Sequence, residues 1–140
     1  MAFRYLPDVA LADIAFEAEA ASLGELFEAC ARAITDIMVD PTTLRPTVGR
    51  DIALASDDSD RLLYDFLTEL IIAKDVDSLL FRDYSVQVSS DGRSLRATAR
   101  GEPIDRERHS LRNDVKAVTM HMFGVRHEGS AWKATVVLDI

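Results

Sequence analysis

Two acidic groups close the sequence, the side chain of Asp139 and the main-chain carboxylate of Ile140. Apolar residues recur at every second position of residues 131–140, which predicts a strand that holds both acids in place. Asp13 lies on the polar side of a similar pattern near the start of the chain. Three carboxylates that met would repel one another unless a cation, or a lysine such as Lys116, neutralised them. The residues alone leave two hypotheses open, a shared cation site or unrelated surface acids.

Hard oxygen ligands suit calcium or magnesium among the divalent cations, and manganese is a further candidate. Three carboxylates do not fill the six to eight positions that calcium prefers, so water or a partner's groups would complete the shell. An incomplete shell indicates a site that is used in a complex.

The sequence lacks the patterns of other common reactive sites, namely a nucleophile elbow, a phosphate-binding loop and a dinucleotide glycine fingerprint. His109, His121 and His127 do not have the spacing of a metal site. Cys30 lies within the apolar stripe of a predicted helix, which is typical of a core residue.

The elements that position these acids follow from hydrophobic periodicity. Strands are predicted at residues 3–6 and from Ala10 to Ala18, with Ile14 and Phe16 on the apolar face. Ser22 predicts the cap of a helix that ends before Pro41. A strand is expected at 47–54, weakened or bulged at Gly49.

In the second half, Asp57, Asp58 and Asp60 predict the capped start of a second helix rather than a metal loop. A hairpin turns at residues 90–93, a polar loop covers 101–111, and a last hairpin pairs 115–125 with 132–140. The predicted fold is an α/β (α+β) sandwich, with two helices packed on a mostly antiparallel sheet.

Composition limits the class of protein. A chain of 140 residues with 48% hydrophobic residues predicts a single globular domain, 1–140. No apolar run is long enough to span a membrane and the N-terminus lacks a signal-peptide pattern, so a cytoplasmic protein without membrane contact is expected. The net charge of −8 argues against direct nucleic-acid binding.

Six segments in the same order resemble the archease family. They are LADIAF at 11–16, SLGELFEA at 22–29, LLYDFLTEL at 62–70, GEPIDRERH at 101–109, VKAVTMH at 115–121 and VLDI at 137–140. The GEP loop, the VKA strand and the LDI ending are specific in combination, and they favour the cation hypothesis over unrelated acids.

The resemblance implies a protein cofactor of the RtcB-type RNA ligase, which joins RNA ends with a 3′-phosphate or 2′,3′-cyclic phosphate to 5′-hydroxyl ends in tRNA splicing. Such a cofactor promotes guanylylation of the ligase and its multiple turnover, and is not itself an enzyme. The resemblance also implies a strand-helix-strand-strand module with a helical insertion.

By position, Asp13, Asp139 and Ile140 correspond to the family's metal site, which is expected to hold calcium, magnesium or manganese. Lys116 matches a functionally important lysine. Glu102, His109 and His121 lie in the resembling motifs and are further candidates for contact with the partner, or for shaping the loop.

The chain departs from the family at one point. Many archeases read DHTAD before the first of these strands, whereas this chain reads DVALAD at residues 8–13, without the histidine and threonine. The aspartate stays aligned, and the role of the missing histidine is left open. Two alternatives to a ligase cofactor are also considered: a stand-alone metal-dependent phosphoester hydrolase built on the same acids, and a general chaperone or RNA-modification adaptor.

Overall fold

The computed structural model describes residues 2–6 and 13–140. The helices are α1 (Leu23–Met38) and α2 (Ser59–Asp77), and a 3₁₀ turn lies at Pro41–Thr43. The strands are β1 (Ala2–Leu6), β2 (Asp13–Ala20), β3 (Val48–Ala55), β4 (Leu79–Val88), β5 (Ser94–Pro103), β6 (Ala117–Glu128) and β7 (Ala131–Asp139).

The strands form two sheets, in which every described pairing is antiparallel. The first sheet has the order β1-β2-β7-β6, and the second has the order β3-β5-β4. Elements β2, α1, β6 and β7 form a strand-helix-strand-strand module, and β3, α2, β4 and β5 are inserted between α1 and β6. The predicted α+β class with two helices is confirmed, and the division into two sheets is an addition that the prediction did not contain.

Both helices begin at the predicted caps. The Ser22 hydroxyl accepts a hydrogen bond from the main-chain N–H of Glu25 (3.2 Å), which satisfies one of the free donors of α1. The Asp58 carboxylate does the same for Arg61 at the start of α2 (2.8 Å). The acidic cluster before α2 is therefore a helix start, as predicted.

Helix α1 lies against the free edge of β4. The Glu28 carboxylate accepts from the Val86 N–H (3.0 Å), and the Thr35 hydroxyl donates to the Phe81 carbonyl (2.8 Å). These side chains satisfy backbone groups that an edge strand leaves without partners. Cys30, on the same helix, is fully buried, and burial raises the pKa of its thiol, which confirms it as a core residue.

Strand β7 is central, with β2 on one side and β6 on the other. The predicted apolar face is confirmed: Ala134, Val136 and Leu138 are buried in the core, while Asp139 pairs on the opposite face. Val137, which lies on that opposite face, is also fully buried. The strand that carries the C-terminal acids is therefore fixed on both faces.

Three details differ from the predictions. Strand β6 spans Ala117–Glu128 rather than residues 115–125. Strand β5 continues to Pro103, so the polar loop begins after it rather than at Gly101. A Cβ at Gly101 would lie 1.8 Å from the Leu80 carbonyl oxygen, so the glycine allows β4 and β5 to approach. The bulge considered at Gly49 is absent, since the register of β3 with β5 runs without interruption through the strand. The predicted strand residues Ala10 and Ala12 lie outside the described residues.

Within the described chain, neither helix combines the length and apolar composition needed to cross a membrane.

Candidate functional site

The two predicted acidic side chains lie side by side in the first sheet. Antiparallel pairing of β2 with β7 places Asp13 directly opposite Asp139. Residues opposite each other in such a pair have Cβ atoms about 5 Å apart on one face of the sheet. Asp139 also pairs with Ala117 of β6, whose methyl group leaves space beside the carboxylates. The fold therefore brings together two acids separated by most of the chain.

Both aspartates are partly exposed. In the part of the chain that the structure describes, neither carboxylate accepts a hydrogen bond or forms an ion pair with a side chain. Like charges directly opposite each other destabilise a strand pair unless something neutralises them. The donor set consists of hard oxygens, which fits a divalent cation of the calcium or magnesium type.

Ile140 follows β7 directly, and its half-buried side chain packs against the core. This packing holds the main chain of Ile140 near the end of the strand pair. Across residues 2–6 and 13–140, no group of three or more histidine, cysteine, aspartate or glutamate side chains is arranged to hold a metal. The predicted set has only two such side chains, and a main-chain carboxylate is its third member.

Lys116 contacts this site through its backbone. Its main-chain N–H donates to the Asp139 carbonyl (2.8 Å), while its side chain is exposed. No ion pair joins the Lys116 ammonium to a carboxylate of the described residues. Among the described residues, the Lys116 side chain therefore does not neutralise Asp139 through a direct ion pair.

The segment that leads into β6 is anchored by a buried lysine that sequence reasoning did not select. Lys74, near the end of α2, is 8% exposed, and its ammonium donates to the Asp114 carboxylate and to the Val115 carbonyl (2.8 Å). Burial alone would lower the pKa of Lys74, but hydrogen bonds to Asp114 and Asp75 outweigh it and leave the pKa raised. This anchor fixes the residues immediately before Lys116. The sequence signal for this anchor is the position of Lys74 within the stripe of leucines on α2.

A cavity of about 450 Å³ opens beside Asp13 and extends to the end of α1. Its walls include Tyr5, whose hydroxyl donates to the Asp36 carboxylate (2.6 Å). Arg112 donates to the other oxygen of that carboxylate (3.0 Å) and to the Asp36 carbonyl (2.8 Å). The cavity gives solvent-sized groups access to the aspartate pair from one side.

Glu102 and His109 form a separate buried cluster. We call it the Glu102 cluster; it consists of Glu102, Arg108, His109 and the main-chain N–H of Arg45. Arg108 donates to both carboxylate oxygens (2.8 and 2.7 Å), and the Arg45 N–H donates to one of them (2.9 Å). His109 accepts from the Asp105 N–H at Nδ1 (2.9 Å), so its Nε2 carries the proton and donates to Glu102 (2.6 Å).

Hydrogen bonds from Arg108, in first place, hold the pKa of Glu102 well below its usual range, and those from His109 and Arg45 add to the effect. Glu102 and His109 are each only 5% exposed. Every polar atom of the pair has a partner within the chain. Of the two roles considered for these residues, the geometry favours shaping of the loop after β5.

His121 lies in an exposed bulge of β6. The register with β7 changes between Thr119 and Gly124, so four residues of β6 stand opposite one residue of β7. Met122 within the bulge has a φ of 56°, which non-glycine residues rarely adopt. His121 is exposed, and it lies four residues after Ala117, the β6 residue that pairs with Asp139.

A family model described as "Archease protein family (MTH1598/TM1083)" matches residues 3–140. The chain is 38% identical over 131 residues to the protein archease of Methanothermobacter thermautotrophicus, covering 92% of this chain and 93% of that one. It is 36% identical over 132 residues to the protein archease of Pyrococcus abyssi, with the same coverage.

Solved structures agree with these matches. The solution structure of Methanobacterium thermoautotrophicum protein 1598 superposes with a TM-score of 0.81 at 35% identity, covering 99% of this chain and 98% of that one. The crystal structure of an archease from Thermotoga maritima, described as a possible chaperone, shares the fold, with a TM-score of 0.65 at 19% identity over 96% of each chain. The resemblance inferred from six short motifs is thereby confirmed, and the chain belongs to the archease family.

Proposed function

We propose that this protein is a cofactor of an RtcB-type RNA ligase in tRNA splicing, where it promotes guanylylation of the ligase and multiple turnover without being an enzyme itself. Family membership supports the proposal, and the pairing of Asp13 opposite Asp139 is the observation that carries it. With an RNA ligase as its partner, we expect the protein in the cytoplasm.

Asp13, Asp139 and the carboxylate of Ile140 are the residues that would hold a divalent cation, with calcium first and magnesium or manganese as alternatives. When bound, the cation supplies positive charge for oxygen atoms of the partner or its nucleotide. The chain itself holds the two aspartates on adjacent strands and leaves one side open. An incomplete shell of this kind has room for ligands from a second molecule.

The exposed acids also provide a docking surface. A chain of net charge −8 with paired aspartates complements the basic surface that a ligase needs to bind phosphates. The exposed ammonium of Lys116, next to Asp139, is available for an acidic group of the ligase or a phosphate. His121 lies in the bulge of β6, the strand that begins at Ala117 directly after Lys116. It is a further candidate for contact with the ligase.

The direct test is multiple-turnover ligation by an RtcB-type ligase with GTP and a divalent cation. We expect the intact protein to convert a ligase that stalls after one round into one that turns over, and Asp139→Asn to abolish this effect. Glu19→Gln is the matched control, because it removes an exposed acid from the same strand pair but opposite Lys133. Equal activation by intact protein and Asp139→Asn would exclude the role of the aspartate pair.

Three further measurements test the proposal and its alternatives. Activation that does not weaken as salt rises would contradict docking by charge complementarity. Hydrolysis of phosphoesters by the purified protein alone would favour the hydrolase hypothesis instead. Equal stimulation of unrelated RNA enzymes would favour a general adaptor or chaperone.

A further inference from the structure

The second sheet has one face on the core and one face in solvent. On the central strand β5, buried residues alternate with exposed ones, and the exposed set includes Arg96 and Arg100. The residues that flank them on this outer face are glycine, alanine, serine, threonine, glutamine and aspartate. The face is flat and polar, with two long cationic side chains at its centre.

The two arginines are arranged along one strand. Arg96 and Arg100 are four positions apart on β5, so their Cα atoms are separated by roughly 13 Å. On β3, Ala53 lies opposite Arg96 and Gly49 lies opposite Arg100, so the neighbours on that side are small. On β4, Gln87 and Asp83 lie opposite the same two arginines, both of which are exposed. Thr98, midway between them, adds a hydroxyl group.

The two acids on this face already have partners. Arg82 donates to both oxygens of Asp83 (3.1 and 2.9 Å), and the Thr98 hydroxyl donates to Asp51 (3.1 Å). Among the described residues, neither Arg96 nor Arg100 has a hydrogen-bond or ion-pair partner for its guanidinium. Their charges are thus available to a ligand.

Helix α1 contributes Arg32 at the β4 side of this face. It is the fourth arginine there, after Arg82, Arg96 and Arg100. The hydrogen bonds from Arg82 lower the pKa of Asp83, and the positive charges of Arg32 and Arg100 contribute to the shift. Four arginines therefore share this part of the surface with two aspartates, which is a local excess of positive charge on a chain whose net charge is −8. We call this surface the arginine face; it consists of Arg32, Arg82, Arg96 and Arg100 with the outer side of the second sheet.

We propose that the arginine face binds the phosphate backbone of single-stranded RNA, independently of sequence. Arginine forks match phosphate geometry, and the hydroxyl and amide groups of Thr98, Ser85 and Gln87 suit sugar hydroxyls. Among the described residues, the paired positions of this face carry no aromatic side chain for bases to stack on, so contacts are expected with phosphates and sugars rather than with bases. The proposal goes beyond the ligase partnership and does not rest on it.

A protein partner fits this face less well. Protein interfaces depend on large apolar anchors in buried pockets. The large hydrophobic side chains exposed in the described chain are those of other elements: Tyr5, Ile72, Val76, Leu111, Met120 and Met122. The overall charge predicted no contact with nucleic acid, whereas the fold concentrates arginines from α1, β4 and β5 on one surface.

The expected binding is weak and sensitive to salt. Two phosphate contacts on a single strand give a slope of about −1.4 for the logarithm of the association constant against the logarithm of the salt concentration. Between about 50 and 200 mM salt, this slope weakens binding by about sevenfold.

The experiment measures fluorescence anisotropy of a labelled oligouridylate titrated with the full chain at several salt concentrations. Replacing both central arginines, Arg96→Gln with Arg100→Gln, is expected to weaken binding by about tenfold at low salt and to bring the slope close to zero. Arg61→Gln with Arg106→Gln is the control, because it removes the same charge from other surfaces and should keep the affinity. Arg96→Lys with Arg100→Lys should retain most of the salt slope.

Four results would overturn the proposal. They are absence of binding by the unaltered chain at low salt, an equal loss in the control pair, equal binding of an oligoglutamate, and equal or tighter binding of the matching single-stranded DNA. The first three would show that the face is not a nucleic-acid site, and the fourth would remove the assignment to RNA. No ligase is present, so the outcome is separate from that of the ligation assay.

Discussion

The facing aspartates make a specific prediction about stability. Asp139→Asn should stabilise the metal-free protein, because it removes a like charge directly opposite Asp13. At a separation of about 5 Å in an environment close to water, the repulsion amounts to about 0.8 kcal/mol. The unfolding entropy of a domain of this length is about 0.3 kcal/mol per kelvin, so Tm should rise by about 3 °C.

A bound cation should reverse the order of the two Tm values, so that the unaltered chain unfolds at a higher temperature than Asp139→Asn. At a free concentration of one hundred times its Kd, a ligand of the folded state adds about 2.7 kcal/mol, or about 9 °C in Tm. We expect calcium, magnesium or manganese to give such a shift for the unaltered chain and not for Asp139→Asn. The assay is thermal unfolding by circular dichroism, with a chelator or with each metal in turn.

Glu19→Gln is again the matched control. Glu19 stands opposite Lys133 in the same strand pair, so its loss should leave Tm unchanged or lower it by about 1 °C. A fall in Tm for Asp139→Asn in the presence of chelator would refute the reasoning, because it would mean that the chain itself stabilises the carboxylate. A Tm of the unaltered chain that responds to none of the three metals would refute the cation site.

Three further predictions concern the scaffold. Replacing His109 by phenylalanine should lower the unfolding free energy by roughly 2 kcal/mol, measured in urea, because a buried carboxylate loses a donor. The pKa of Glu102 is lower in the folded state than in the unfolded state. The ionised carboxylate therefore stabilises the fold fully above the unfolded pKa of about 4.3, and this stabilisation is lost as pH falls through the folded value. The loss of unfolding free energy caused by Glu102→Gln should accordingly shrink in acid. Gly101→Ala should cost more than about 3 kcal/mol or prevent folding, since its methyl would meet the Leu80 carbonyl, while Gly49→Ala in the neighbouring strand should be neutral or slightly stabilising.

Each has a result that would count against it. His127, exposed and stacked on Trp132, serves as the control histidine, and an equal loss for His127→Phe would remove the special role of the Glu102 cluster. A deficit for Glu102→Gln that is constant from neutral to acid pH would mean that the carboxylate gains nothing from its donors. Normal unfolding of Gly101→Ala would mean that β4 and β5 separate easily at this point.

The sequence by itself determined the elements. Period-two and helical patterns located the strands and both helices, and Ser22 and Asp58 marked the helix starts, because these features depend on neighbours within a few residues. The motifs around Asp13 and Asp139 also identified the family, which the comparisons confirm. Local chemistry was sufficient for these conclusions.

Only the tertiary structure decided which groups meet. The register of β2 with β7 places Asp13 opposite Asp139, and register between distant strands depends on how both sheets pack. Packing also buried Lys74 beneath the segment before Lys116 and enclosed Glu102 with its donors. The arginine face has the same origin: charges that are scattered along an acidic chain lie together because one sheet exposes a single face to solvent.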